Sequence, residues 1–508
     1  MTEITVPTDA NVFGALFGRE HDPAHVFMET AAGRQLRFGE AADITARYAG
    51  LLAGLGVAKG RLVAGLLEKS PEGILLYLAA CRLGAVYLPV HIGLTDAEIG
   101  HILRDAEPVA VVCDPSRRDC VGSAGTHRVL TLDAKGAGTL TEGSRGIEGL
   151  DELTAVSPSD ANAMVYTSGT TGRPKGALLS AGSVIWNARA LAACWRIGPD
   201  DTLLHANPMA YGLFGTTTPA LAGGAAMILL SKFETEAVLA ALPRATIFAG
   251  VPTYYSRLMA DPRFGRELCT EMRLFVTGSA PMRADAFEAF AARTGHRLLD
   301  RYGLTEALIA TSNRFEDHRR PDTSGLPLPG SRLRIVDKDG QEVPTGTVGM
   351  IELQQPFPFL GYWRDDAKTA AAFRDGWFVT GDFGRVDEEG HVSVLGRGAD
   401  LIITGGLNVY PKEVEAALNA LDAVAESAVI GVSHPDFGEA VVAVVQLANR
   451  RTPFDPQQAI AALRSSLAGY KVPKRIELVD EMPRNTLGKI QKNLLKQRLA
   501  GTFGPGAG

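Results

Sequence analysis

The chain opens as short apolar runs alternating with amphipathic stretches. RLVAGLL (61–67) is uninterrupted and predicts a buried strand. Ser70 and Pro71 then supply an N-cap and a first-position proline for a helix through LLYLAACRL. GAVYLPV predicts the next strand, the capping box of Thr95 and Glu98 the next helix, and PVAVVCD a further strand. Such alternation predicts an α/β fold with doubly wound parallel sheets and ligands at the strands' carboxyl ends. Residues 114–160, rich in Gly, Ser, Thr and Asp, read as surface connection. AMVY (163–166) reads as a strand that delivers the next loop.

Beyond Arg314 the texture changes. LPGSRLRIVDKDGQEVPTGTVGMIELQQP places the turn signals DKDG and PTGT between short strands, which predicts a β-rich subdomain. After GRGADLIITGGLNVY a last unit begins, with AESAVIGV and AVVAVVQL as a hairpin-like pair around SHPDFGE. DPQQAIAALRSSLAGY predicts an amphipathic helix capped by Asp455. The boundary is expected at 398–400, giving an N-terminal unit 1–398 and a small α+β C-terminal unit 399–508.

At 508 residues the length favours more than one domain. The net charge of -6 and pI near 6.0 argue against a nucleic-acid or anionic-membrane partner. No apolar segment is long enough to insert in a membrane, and the start has no basic run before an apolar core, so no signal peptide is expected. The 5 cysteines are scattered without a CxxC pair and read as reduced thiols of a cytoplasmic protein. The 10 histidines show no ligand spacing, so no structural metal is expected.

Chemistry concentrates in loops that follow strand-like runs. YTSGTTGRPKGALL gathers hydroxyls, glycines, Arg173 and Lys175. It fails the spacing GxxxxGK[ST], since Pro174 stands where the second Gly belongs, but it still suits a phosphate nest. RLFVTGSAP offers small residues against which a flat ring can lie, and LDRYGLTEA offers the aromatic face of Tyr302 with Thr305 and Glu306. Asp382 in TGD suits ribose hydroxyls, and Arg397 suits the same sugar or a phosphate. Singly, each has a bland alternative: a surface turn, a core tyrosine, a turn-forming aspartate. Together they describe a nucleotide site.

YTSGTTGRPKG, RYGLTE, TGD, GRGADLIITGGLNVYPKEVE and PRNTLGK, in this order, resemble the motif series of the adenylate-forming superfamily. That group contains acyl-CoA synthetases, peptide-synthetase adenylation domains and luciferases. Within it the chain is most similar to malonyl-CoA synthetases, through VYLPV, AEPVAVVCDPSRRD, VPTYYSRL, GSAP and ITGGLNVYPKEVE. The resemblance implies a large N-terminal domain, a mobile C-terminal lid and two half-reactions. A small carboxylic acid attacks the α-phosphate of ATP, with Mg²⁺, to give acyl-AMP and pyrophosphate. Coenzyme A then displaces AMP.

By position, the resemblance implies that Thr167, Ser168, Gly169, Thr170, Thr171, Gly172 and Lys175 hold the β- and γ-phosphates. Gly278, Ser279 and Ala280 with Tyr302 would hold adenine, and Asp300, Arg301 and Gly303 belong to the same nucleotide site. Thr305 would touch the α-phosphate, Glu306 would hold Mg²⁺, and Asp382 and Arg397 would hold the ribose. Lys489 would bridge the carboxylate and α-phosphate oxygens as charge builds in the transition state. Gly405, Gly406, Leu407 and Asn408 would line the pantetheine path after the lid turns.

The chain departs from the malonyl-CoA synthetase pattern in HANPMAYGLFGTTTPALAGG. It is shortened there and lacks the histidines of that family's aromatic-His-x-His-Gly stretch, with Tyr211 and Gly212 in their place. His205, Tyr211, Gly212 and Arg257 are the expected acyl-pocket residues. Arg257 and Arg301 are open as partners of a second carboxylate or as structural ion pairs. With Gly212, Gly215, Gly223 and Gly224 nearby, a roomy pocket and an acid bulkier than malonate are expected, malonate itself staying open. At the hinge, Ala399 replaces the usual Asp or Lys. That leaves open a ligase performing only the thioester step on a supplied acyl-adenylate. A stand-alone adenylation enzyme for a carrier protein is a further alternative, and the oligomeric state is left open.

Overall fold

The computed structural model describes residues 4–18, 21–125, 128–167, 175–279, 282, 284–404, 407–434, 437–449, 453–485 and 488–503. Two large α/β sheets dominate it. In the seven-stranded sheet Leu62–Leu66 lies between Val86–Val90 and Ala110–Cys113, all parallel. The nine-stranded sheet runs parallel from Leu299–Leu304 through Leu274–Gly278, Ile247–Gly250 and Thr202–His205 to Ala226–Leu229.

The helices Pro71–Arg82 and Ala181–Trp195 are buried on nearly every side. One apolar core joins them to Val63 and Ala110 of the first sheet and to Leu203 and Leu274 of the second. Helices apolar all round are stable only when enclosed, and here both sheets enclose them. The expected caps form: Ser70 Oγ accepts from Gly73 N at 3.1 Å, and Thr95 and Glu98 close a capping box.

Residues 114–160 are more ordered than the sequence implied. Arg128–Thr131 adds a parallel strand beside Ala110–Cys113, with Arg118–Ser123 and Thr139–Gly143 as short helices around it. Four residues in a polar setting carry no periodicity that would announce a strand. The β-rich subdomain is a five-stranded antiparallel sheet that includes Arg332–Val336, Gly349–Gln354, Trp377–Val386 and Val392–Arg397.

A last sheet takes all its strands from between Ile402 and Val479. Val424–His434 pairs antiparallel with Gly438–Leu447, so AESAVIGV and AVVAVVQL do form the expected pair. The helix Pro456–Leu463 starts as expected, with Asp455 Oδ1 accepting from Gln457 N at 2.8 Å, but ends before the predicted stretch does. The fold is α/β, with a large N-terminal part and a small α+β C-terminal part. Among the described residues no helix is long and apolar enough to cross a membrane.

Candidate active site

The strand Leu299–Leu304 turns back as Leu308–Ser312, and the tip of this hairpin carries Thr305 and Glu306. Leu274–Gly278 runs beside it with Gly278 opposite Arg301. Ser279 follows in the left-handed region at φ 69°, so the chain swings away sharply there. A Cβ at Gly278 would stand 2.7 Å from Arg301 Nε, so only glycine admits the arginine.

Asp382 faces Arg397 across antiparallel strands, with Arg397 Nε 3.4 Å from Asp382 Oδ1. The Tyr302 hydroxyl donates to Asp382 Oδ2, and Asp382 N donates to Thr380 Oγ1 at 3.0 Å. Tyr302, expected as an open aromatic face, is buried, and its hydroxyl orients the aspartate. Burial pushes the Asp382 carboxyl above the usual carboxylate range, opposed by Tyr302, Arg397 and Lys489. A carboxylate fixed on two sides suits a ribose diol. Asp382→Ala is therefore expected to weaken ATP and AMP alike. Hydrogen bonds to a charged group contribute about 1.5–3 kcal/mol, or roughly 10- to 100-fold in affinity. Unchanged AMP affinity on calorimetric titration would refute the ribose role.

Glu306 Oε1 accepts from the Tyr362 hydroxyl at 2.8 Å. Its charge is felt at Asp382, so the two carboxylates share one site. No donor to its other oxygen is found among the described residues. One oriented carboxylate beside a phosphate site is the donor set Mg²⁺ takes, since that ion keeps phosphate and water oxygens for its other positions. Thr167 and Lys175 are backbone partners at the two ends of the hydroxyl-rich loop. Lys175 Nζ pairs with Asp365. Ser168, Gly169, Thr170, Thr171 and Gly172 lie outside the described residues, as do Ala280, Gly405 and Gly406.

Lys489 comes from the C-terminal part, yet its ammonium interacts with Arg397, Asp382 and Arg301 of the body. Lys489 N donates to Asn485 Oδ1 at 3.0 Å, and Gly488 takes φ 75°. Gly488 sits against the body, where a Cβ would lie 3.6 Å from Thr253 Oγ1. The lysine keeps solvent access within a crowded cleft. That crowding, together with Arg397 and Arg301, pushes its pKa down, and Asp382 opposes the shift. Lys412 adds a second tie by donating to the Val394 carbonyl.

The wall 205–224 corrects an expectation. Glycines there were read as open space, but neighbours fill it: a Cβ at Gly212 would meet His205 Cε1 at 2.7 Å, and one at Gly223 would meet Ile197 Cγ2 at 2.6 Å. Gly224 is a left-handed helix cap, and Gly215 faces the Arg301 guanidinium. His205 is buried, with Nε2 3.1 Å from Thr217 Oγ1 and Nδ1 3.1 Å from Lys69 Nζ. Of the arginines, Arg257 stays exposed on the helix Pro252–Ala260. Arg301 is enclosed between Gly278 and Gly215, and its Nε has no hydrogen-bond partner. Asp300, its neighbour, is engaged by the Arg301 backbone N at 2.7 Å and is pushed up to about 7 by burial. It is thus a weak counter-charge at neutral pH.

Lys69, Tyr362, Asp365 and Lys412 were not singled out in the sequence. A lysine just beyond a parallel strand is a usable signal for Lys69. The others depend on partners far along the chain.

The pattern of the AMP-binding enzyme family matches residues 17–363, and that of the AMP-binding enzyme C-terminal domain matches 413–489. The chain belongs to this family. ATP-bound MatB from Rhodopseudomonas palustris is 44% identical and superimposes with a TM-score of 0.94, covering 97% of this chain and 100% of that one. The apo structure of MatB, 43% identical with the same coverage, gives 0.83, so the chain matches the ATP-bound arrangement more closely. An indoleacetate–CoA ligase from Aromatoleum aromaticum is 34% identical, over 92% of this chain and 94% of its own length. A malonate–CoA ligase from Arabidopsis thaliana is 30% identical, over 88% and 79%. The protein is an AMP-forming acyl-CoA ligase that joins a carboxylic acid to coenzyme A with ATP and Mg²⁺.

Proposed function

We propose that the acid carries a second anionic group: a short dicarboxylate of about malonate size, with its distal carboxylate on Arg301. The carrying observation is the half-buried Arg301 guanidinium, its Nε buried without an acceptor, with no ion-pair partner among the described residues and within electrostatic reach of Lys489. A half-buried cation whose Nε lacks any acceptor is costly, and a ligand carboxylate removes that cost. A short diacid spans the two cations, its reacting carboxylate at Lys489 and its distal one at Arg301. Likeness to MatB and to a malonate–CoA ligase supports this reading.

In the first half-reaction Asp382 and Arg397 hold the ribose, and Lys489 with Thr305 holds the oxygens on which charge accumulates. Glu306 would hold Mg²⁺, which neutralises phosphate charge when bound. The chain divides into 1–398 and 399–508, and the C-terminal unit turns about Ala399 between steps. That rotation withdraws Lys489 and brings Leu407 and Asn408, with Gly405 and Gly406, to the thiol's path. Leu407 is an apolar side chain left 49% exposed, which suits a surface used in another arrangement. Use of ATP and coenzyme A fits a cytoplasmic enzyme.

The shortened wall and the likeness to an indoleacetate–CoA ligase favour a second reading, a bulky aromatic monoacid. One acid panel decides between them: malonate, methylmalonate, succinate, acetate, phenylacetate and indoleacetate, each read for pyrophosphate release and CoA-thioester formation. A short diacid is expected to give the highest kcat/KM. An aromatic monoacid at the head of the panel overturns the dicarboxylate reading. Thioester formation only from supplied acyl-AMP would mean that the first half-reaction is lost.

A further inference from the structure

We propose that Lys69 is a positioning residue of the acyl pocket, its ammonium holding the wall 205–217 against Arg301 and so setting which acids fit. This rests on the placement of Arg301 in that pocket. Lys69 follows the strand Leu62–Leu66 of the seven-stranded sheet and is 6% exposed. Its Nζ donates to the carbonyls of His205 and Asn207, both at 2.8 Å, and lies 3.1 Å from His205 Nδ1. No carboxylate pairs with it among the described residues.

An ammonium has three N–H donors and no lone pair, and it meets three acceptors here. With Nδ1 accepting, the His205 proton is assigned to Nε2, which lies 3.2 Å from Thr216 Oγ1 and 3.1 Å from Thr217 Oγ1. Thr216 donates its own proton to the Gly212 carbonyl at 2.6 Å, leaving its oxygen to accept. One direction of hydrogen bonding thus runs from Lys69 through His205 and Thr216 to Gly212.

The last members of this chain lie in or beside Leu213–Thr217, a single turn of π-helix. Such turns are rare and concentrate at functional sites. Gly215 sits in its middle, where a Cβ would stand 3.7 Å from an Arg301 guanidinium nitrogen. Lys69 follows a strand of one sheet and His205 ends a strand of the other, so the clamp fixes the wall relative to both. Loss of the ammonium leaves His205 Nδ1 and the Asn207 carbonyl without this donor, while the His205 carbonyl keeps only Leu230 N at 3.1 Å, and the wall must shift to solvate them.

The test uses the full-length enzyme with Lys69→Met and the isosteric Thr217→Val, across the same acid panel. Each variant is read as the ratio of kcat/KM for the best wild-type acid to that for acetate. Ratios taken on one preparation do not depend on its folded fraction, so a purely structural role leaves them unmoved. Lys69→Met is expected to lower the ratio about tenfold, and Thr217→Val about threefold, with KM for ATP kept within about twofold. Unchanged ratios in both variants overturn the inference. If Lys69→Met does not fold, Thr217→Val and Thr216→Val decide it on the same ratio. A wild-type panel headed by a monoacid defeats the dicarboxylate reading, while flattening of the ranking still judges Lys69.

Discussion

Lys489→Ala is expected to abolish acyl-adenylate formation while largely sparing thioester formation from pre-made acyl-AMP. The ammonium reaches across from the C-terminal part to a cleft that already holds Asp382, Arg397 and Arg301. Lys489, Arg397 and Arg301 are three cations against the two carboxylates Asp382 and Glu306, so the lysine tips the cleft positive, which suits an incoming carboxylate and an α-phosphate. A preorganised donor aimed at developing charge is worth roughly 10²–10³-fold in rate, and more when it also joins two anions that repel each other. The proposed rotation of the C-terminal unit withdraws Lys489 before thiol attack, so the second half-reaction should lose little. Isotope exchange between pyrophosphate and ATP checks the first step, and thioester release from synthetic acyl-AMP checks the second. A variant that exchanges at the normal rate refutes the assignment.

The same lysine fixes a pH dependence. The crowded cleft, Arg397 and Arg301 lower its pKa from the ordinary lysine range. The charged form is therefore lost as pH rises through that lowered value. Adenylation should fall on the alkaline side earlier than a lysine free of these neighbours would dictate. The thioester step should not share that limb.

How far the site was legible in the sequence depends on how local each feature is. Ser70 and Thr95 cap their helices through bonds that span three residues, and both were readable. The helix Pro71–Arg82 was readable because a cap and a proline open its apolar run, whereas nothing comparable announced Ala181–Trp195. The cross-strand pair of Asp382 and Arg397 lies within one sheet, and its motifs announced it. The supports were not readable. Tyr362 reaches Glu306 across 56 positions, Lys69 reaches His205 across 136, and Lys175 reaches Asp365 across 190. Nothing near either partner in the sequence marks such pairs. Gly212 was misread for a related reason: a glycine in a sequence does not say whether the missing side chain leaves space or makes room for a neighbour. Here the neighbour is His205.

Arg301→Ala is expected to destroy use of the dicarboxylate while leaving ATP binding nearly intact. The arginine lies against Gly278, where a Cβ would exclude it, and within van der Waals reach of Gly215. Its Nε is buried and makes no hydrogen bond. Asp300, the nearest acid, does not neutralise it, because burial raises that carboxyl to about 7 and one of its oxygens already accepts from the Arg301 backbone. A distal carboxylate placed there pairs with a partly desolvated guanidinium. Truncating one partner of such a pair costs about 2–5 kcal/mol, roughly 30- to several-thousand-fold in kcat/KM. Arg301→Lys should recover little, since an ammonium cannot reproduce the planar two-pronged contact. Acetate lacks the distal group and should be affected far less, so the diacid-to-acetate ratio is the decisive measurement. Arg257→Ala, at an exposed position, should leave that ratio alone. Equal losses for diacid and acetate would assign Arg301 to the structure of the cleft, and the bulky monoacid would become the better reading.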